Sequence, residues 1–210
     1  MGRTEAATFL HRRVYSDFAH LYDSVFGRAF VDREHELIES LNLRPGQRVL
    51  EVGVGTGISL DAYPPYVHVV GIDPSAGMLK QAREKARDNG WGHIEVRPGD
   101  ALNLEFPDNS FDWVTTFHVM TVVPDPRRMM DEMVRVCKPG GGLALINHFA
   151  SDRPWLYTVG KVLNPITKHL GWTTRLRARD VLNGQKIVVE RYARPSPWSV
   201  HFVIVARKQV

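Results

Sequence analysis

A strand-like run that closes in spaced glycines, Leu50-Glu51-Val52-Gly53-Val54-Gly55-Thr56-Gly57, constrains the fold of this 210-residue chain more than any other feature. Glycine lacks Cβ, so the chain can turn tightly there and a ligand can touch backbone. A helix that follows offers free N–H groups and a positive dipole end. The spacing departs from the dinucleotide fingerprint G-x-G-x-x-G. The third glycine, Gly57, comes one residue early, and Ile58 stands where that pattern wants glycine. Glu51 would repel a pyrophosphate, whereas beside an ammonium group it is useful. Nicotinamide-dependent hydride transfer is disfavoured on both counts.

The chain around this loop alternates strand-like and helix-like runs. Strands are predicted at Arg48–Gly53, Val67–Ile72, His93–Arg97, Phe111–Phe117 and Gly142–His148, with helices at Ser75–Asn89 and Pro126–Val136. Such alternation calls for a parallel sheet covered by helices. Lys186–Arg191 and Ser199–Arg207, joined by the turn-rich Ala193-Arg194-Pro195-Ser196-Pro197, read as a closing antiparallel hairpin. Acids follow three successive strands: Glu51, Asp73 and Asp100. Open α/β sheets bind ligands at that end, and an acid about twenty residues past the first glycine can grip ribose hydroxyls. Each acid alone is an ordinary loop or cap residue; the three together point to a nucleoside ligand.

The ends of the chain differ from its middle. Residues 1–48 carry seven basic and seven acidic side chains, residues 49–150 nine against thirteen, and residues 151–210 eleven against three. The last sixty residues are therefore +8 in a chain of net +4, which points to an anionic partner or, on the plainer reading, a solubilising face. Phe9, Leu10, Val14, Phe18, Leu21, Tyr22, Val25 and Phe26 recur at helical spacing, predicting an amphipathic helix over residues 5–26. It serves either as a lid on the core or as a membrane-surface helix. Glu5, Arg12 and Arg13 stand where a signal peptide needs an apolar run, so no secretion signal is expected. The longest apolar stretch is about half the ~20 residues of a membrane span. Cys137, the single cysteine, leaves no disulfide or thiol framework for structural zinc, and no metal site is expected. A reduced, intracellular setting follows.

Five segments together resemble the ordered motifs of class I S-adenosylmethionine-dependent methyltransferases. They are Glu51-Val-Gly-Val-Gly-Thr-Gly57, Gly71-Ile-Asp-Pro-Ser-Ala-Gly-Met-Leu79, Gly99-Asp-Ala101, Phe111-Asp-Trp-Val114 and Lys138-Pro-Gly-Gly141. The resemblance covers about residues 48–150. It implies a Rossmann-like α/β fold: a seven-stranded, mostly parallel sheet with one antiparallel strand and helices on both faces. It also implies S-adenosylmethionine as cofactor, with S-adenosylhomocysteine as product. By the same resemblance, Glu51 and the backbone of Gly53, Gly55 and Gly57 hold the methionine end. Asp73, with Pro74 beside it, holds the ribose. Asp100 and the Ala101 backbone hold adenine, Met78 packs on the purine, and His118 lines the methionine side. Lys138–Gly141 is expected to be a structural turn before the fifth strand.

The acceptor is narrowed by what is missing and by the chain ends. No Asn/Asp-Pro-Pro-Tyr/Phe motif follows the fourth strand, where nucleic-acid and protein-glutamine amino-methylating enzymes carry it; the chain reads Thr116-Phe-His-Val-Met120. Tyr63-Pro64-Pro65-Tyr66 falls between strands one and two and is expected to be a loop. No nucleic-acid partner is expected. Tyr22-Asp23-Ser-Val-Phe26-Gly27 and Ile146-Asn147-His148-Phe149 resemble the Rhodobacter-type bacterial phosphatidylethanolamine N-methyltransferases. Those enzymes methylate the lipid amine stepwise to phosphatidylcholine. Ubiquinone and menaquinone methyltransferases share a Tyr-Asp segment and much of the core. A quinone or small-molecule acceptor is therefore the alternative, and a cofactor-binding or membrane-binding scaffold the non-enzymatic one.

These features divide the chain into a lid or membrane-contact segment (1–47), a cofactor-binding core (48–150), and a basic substrate-binding insertion with closing hairpin (151–210) of the same domain. The expected protein is a cytoplasmic monomer, peripherally bound to an anionic membrane at its inner face. Roughly 1 kcal/mol per basic residue near such a leaflet makes a few of them sufficient for reversible docking. Tyr22 and His148 are the catalytic candidates: they can orient the amine, and His148 can take its proton. Water could take it instead, and a strand-end histidine satisfied by backbone is the structural alternative. Tyr15, Asn147, Tyr157, Arg175 and Arg177 are the substrate-binding candidates. The tyrosines, with Trp155, could hold a partly methylated cation over their rings. The arginines could grip a phosphodiester.

Overall fold

The computed structural model describes residues 31–149, 176–194 and 201–210. Seven strands form one sheet: β1 (Arg48–Val52), β2 (His68–Asp73), β3 (Ile94–Pro98), β4 (Phe111–Phe117), β5 (Cys137–His148), β6 (Ile187–Ala193) and β7 (His201–Lys208). Their order is β3-β2-β1-β4-β5-β7-β6, and β7 is the one strand that runs opposite to the other six. This is the sheet the resemblance implies. The order reverses between β1 and β4, which opens a crevice at their carboxyl ends, the ligand-binding position of open α/β sheets.

Alternation of side chains along the strands builds two cores. On one face Leu50, Val52, Ile72, Val114, Leu143 and Leu145 pack with Met129, Met130 and Met133 of helix α3 (Pro126–Val136). On the other, Val49, Val69, Trp113, Ala144 and Ile146 meet two further helices. These are α1, over residues 31–40, through Leu37 and Ile38, and α2 (Ala76–Asp88), through Leu79 and Ala82. A short helix, α4 (Ala178–Leu182), adds Ala178 and Val181 to the first core. The central strands are buried on both faces, as parallel strands under helices must be.

The helix limits follow from capping. Ser75 caps α2 by accepting the Met78 N–H, and Asn89 closes it. Asp125 caps α3 by accepting from Arg128, with Pro126 at the first helical position, where its missing N–H costs nothing. The expectation for Lys138–Gly141 needs correction: these residues belong to β5 rather than preceding it. Phe111 pairs with Cys137, then the register shifts, and pairing resumes at Trp113 with Gly142. The extra residues bulge outward with Gly140 at φ +72°, held by Lys138 Nζ 2.7 Å from Asp112 Oδ1. The Trp113 ring explains the glycine where pairing resumes: a Cβ on Gly142 would lie 2.2 Å from it. The predicted helix over residues 5–26 lies outside the described residues.

Candidate active site

The glycine loop leaves β1 through three left-handed residues: Gly53 at φ +82°, Gly55 at +54° and Gly57 at +74°. A side chain at Gly53 would strike Val119 Cγ2 at 2.2 Å, and one at Gly57 would strike Leu60 at 2.7 Å. Those two glycines serve packing. Gly55 differs, because the nearest atom to a Cβ there is Met78 Sδ at 3.9 Å. It keeps open a cradle floored by backbone and flanked by Met78, as a bound nucleoside requires.

Asp73, at the end of β2, stands over this cradle and is tied to it. Its Oδ2 accepts the Gly55 N–H at 3.2 Å and its Oδ1 the Ser75 N–H at 2.8 Å. Burial raises its pKa, while those two N–H groups pull the other way. Each oxygen keeps a further lone pair for a ligand hydroxyl. Pro74 is exposed beside it. Asp100, exposed after β3, accepts the Leu102 N–H and so shapes the turn that presents the Ala101 backbone.

Glu51 is buried and fully engaged. Ser59 Oγ donates to its Oε1 at 2.5 Å and Tyr63 OH to its Oε2 at 2.7 Å. Tyr63 OH also lies 2.8 Å from Thr115 Oγ1. Burial pushes the Glu51 pKa up to about 7, and the two hydroxyl donors hold it back. A cation placed nearby would bring it down. Tyr63, expected only as part of a loop, is a core anchor of this acid. No sequence signal marked Ser59 or Tyr63, because only the return of the chain past the end of β1 turns them toward Glu51.

A second cluster stands at the ends of the next strands. His118 follows β4, His148 ends β5 and His201 begins β7. The His148 and His201 ring centroids are 3.8 Å apart, and each lies 5.3 Å from that of His118. Burial, mutual proximity and the nearby Arg33 guanidinium push His118 down to about 3 and His201 to about 3. Burial and Arg33 push His148 to about 4. All three are neutral imidazoles near pH 7. Glu34 Oε1 lies 3.6 Å from His118 Nε2. Its own pKa is raised by burial and by the Glu51 and Asp61 carboxylates.

His118 and His148, picked out from sequence, are thus brought together. Asn147 is separated from them: as the neighbour of His148 in a strand it faces the other way, is wholly buried, and donates to the His148 carbonyl at 3.0 Å. Arg177 is half-buried and caps α4 with its backbone N–H, which donates to Asp180. Tyr15, Tyr22, Tyr157 and Arg175 lie outside the described residues. Sequence reasoning missed Glu34, Arg33 and His201. Glu34 left a signal, as an acid in line with Leu37, Ile38 and Leu41 on the buried stripe of α1. His201 left none, because only the antiparallel pairing of β7 brings it here.

A family profile described as "Methyltransferase domain" matches residues 50–145. The chain is 40% identical over 186 residues to a phosphatidylethanolamine N-methyltransferase of Cereibacter sphaeroides, covering 88% of this chain and 91% of that protein. It is also 40% identical over 116 residues to a demethylmenaquinone methyltransferase of Listeria welshimeri. That match covers 53% of this chain and 49% of that protein, so the chain spans about half of that relative. Among solved structures, an S-adenosylmethionine-dependent methyltransferase of Methanosarcina mazei superposes with a TM-score of 0.68 at 26% identity. The match covers 82% of this chain and 97% of that one. An acid-flanked glycine cradle at a sheet crevice, on this topology and with these relatives, has one reading: the chain belongs to the class I S-adenosylmethionine-dependent methyltransferases.

Proposed function

We propose that this methyltransferase acts on the amine of phosphatidylethanolamine, adding methyl groups stepwise toward phosphatidylcholine at the surface of a membrane. One observation carries the reading. Similarity to the Cereibacter phosphatidylethanolamine N-methyltransferase runs through 91% of that protein, beyond the cofactor-binding core. Similarity to the Listeria demethylmenaquinone methyltransferase stops at about half.

S-adenosylmethionine, when bound, supplies an electrophilic methyl on a sulfonium sulfur. Asp73 accepts the ribose hydroxyls, with Pro74 beside it. Asp100 and the Ala101 backbone receive adenine, and Met78 covers the purine. The backbone of the Gly53–Gly55–Gly57 turn, kept open at Gly55, receives the methionine end, which His118 lines, and the charge of Glu51 favours its ammonium group. The lipid amine arrives protonated and has no lone pair for attack. His148, neutral at pH 7, takes one proton from it, and Tyr22 orients it by a hydrogen bond. The freed nitrogen would then have the lone pair that the bound cofactor's electrophilic methyl requires, with the sulfonium sulfur as leaving group. The residues around it supply alignment and exclusion of water more than covalent chemistry. Arg175 and Arg177 are assigned to the phosphodiester, and Tyr15 and Tyr157 to the growing ammonium head. The amphipathic segment 5–26 and the basic last third dock the enzyme peripherally at the cytoplasmic face.

The test is transfer of label from radiolabelled S-adenosylmethionine to phosphatidylethanolamine vesicles, with the lipids resolved by chromatography. Label in mono-, di- and trimethylated lipid is expected. Absence of labelled lipid, with cofactor binding verified by calorimetry, overturns the substrate and directs the search to a prenylated quinone.

A further inference from the structure

We propose that His118, His148 and His201 form a binding site for a divalent transition-metal ion of the Zn2+ class, with the Glu34 carboxylate beside it. The site comes from topology. Strands β4, β5 and β7 are neighbours in the sheet, and each contributes one imidazole at the same edge of the crevice. Because β7 runs antiparallel, its first residue pairs with the last of β5, His201 with His148. The ligating nitrogens of the three lie within 4.8 Å of one another. Zn–N bonds of 2.0–2.1 Å in a tetrahedral site set nitrogens about 3.4 Å apart. The rings must close by at most roughly 1.4 Å, a rotation the broad χ2 of histidine allows.

Two further observations fit a cation. First, a carboxylate stands beside the cluster: Glu34 Oε1 lies 3.6 Å from His118 Nε2. Second, His118 adopts φ +62°, a left-handed conformation uncommon outside glycine, while its N–H donates to the Ile146 carbonyl at 2.7 Å. Such backbone outliers cluster at functional sites. Three imidazole nitrogen donors suit Zn2+, Ni2+ or Cu2+ and do not suit Mg2+ or Ca2+. Arg33 opposes the ion. Its Nη1 lies 3.2 Å from His201 Nδ1, so this guanidinium swings aside or leaves Nε2 to ligate.

Binding does not depend on the methyl acceptor. One consequence does rest on the proposed role of His148: an imidazole that ligates a metal through its lone pair cannot take the proton of the lipid amine, so Zn2+ slows transfer.

The experiment uses the full chain stripped with chelator and titrated with Zn2+ by calorimetry, with Co2+ as a spectroscopic probe. One equivalent per chain, visible Co2+ d–d bands and a raised Tm on loading are expected. His118→Ala and His201→Ala each weaken Zn2+ binding at least tenfold, and Arg33→Ala tightens it severalfold. His201→Gln replaces the alanine variant where that one does not fold. No saturable binding, or wild-type affinity in both histidine variants, overturns the site. One-equivalent binding that both histidine variants weaken, with methyl transfer unslowed, upholds it and removes His148 as the proton acceptor instead.

Discussion

At the residue scale, the tightest polar arrangement in the crevice is Glu51 with Ser59, Tyr63 and Thr115. A buried carboxyl with two hydroxyl donors is stable only while both remain, because an unsatisfied buried acceptor costs about 1–3 kcal/mol. Tyr63→Phe removes a bond to Glu51 and one to Thr115 while keeping the ring. It is expected to destabilise the protein by about 1–3 kcal/mol, read as a lower midpoint in urea denaturation. An unchanged midpoint would mean that the hydroxyl is satisfied elsewhere. The acid itself was legible in the sequence, since a carboxylate at the end of a strand before spaced glycines is unusual. Its partners were not. Tyr63 looked like one end of a proline-rich loop, and only the return of the chain past β1 turns its ring inward.

At the element scale, α3 illustrates how a helix that is easy to predict can carry a less predictable core residue. Its cap, its leading proline and its apolar spacing all agree, and the observed limits are those expected. Glu132 breaks the apolar stripe yet is buried. Arg135 Nη2 donates to its Oε2 at 2.8 Å and Arg135 Nε to its Oε1 at 3.0 Å, while the Leu104 N–H binds the same carboxylate at 2.9 Å. Through Arg135, which also reaches the Phe106 and Leu104 carbonyls, α3 pins the segment before β4. The Arg135 hydrogen bonds hold the Glu132 pKa below its ordinary value of 4.5. The folded state therefore favours the charged form. That contribution is fully present above about pH 4.5 and is lost as pH falls through the depressed value. Glu132→Gln is expected to cost about 1–3 kcal/mol at pH 7, a gap that narrows in acid. Thermal denaturation of both proteins from pH 7 to pH 3 checks this, and a gap that stays constant across the range would refute the assignment.

At the scale of the whole molecule, charge is segregated along the chain, with the last sixty residues at +8 against −4 for residues 49–150. Binding to anionic vesicles driven by that segment should weaken steadily with added salt, because the screening length falls from about 10 Å at 0.1 M to about 3 Å at 1 M. Sedimentation with vesicles rich in anionic lipid, at increasing NaCl, reads this. Binding that ignores salt would assign docking to apolar insertion instead. Among the described residues no helix is long and apolar enough to cross a membrane. The sequence by itself determined the strand and helix order, the glycine turn and the acids beside it. Those signals are local: hydrophobic period, caps, and glycines where only glycine fits. Tertiary structure alone decided which distant polar groups meet. Reversal of β7 brings His201 across from His148, and packing of α1 on the sheet sets Glu34 beside His118. The physical reason is that strand pairing joins residues far apart in the chain through backbone hydrogen bonds, which leave no mark of their partner in the side-chain sequence.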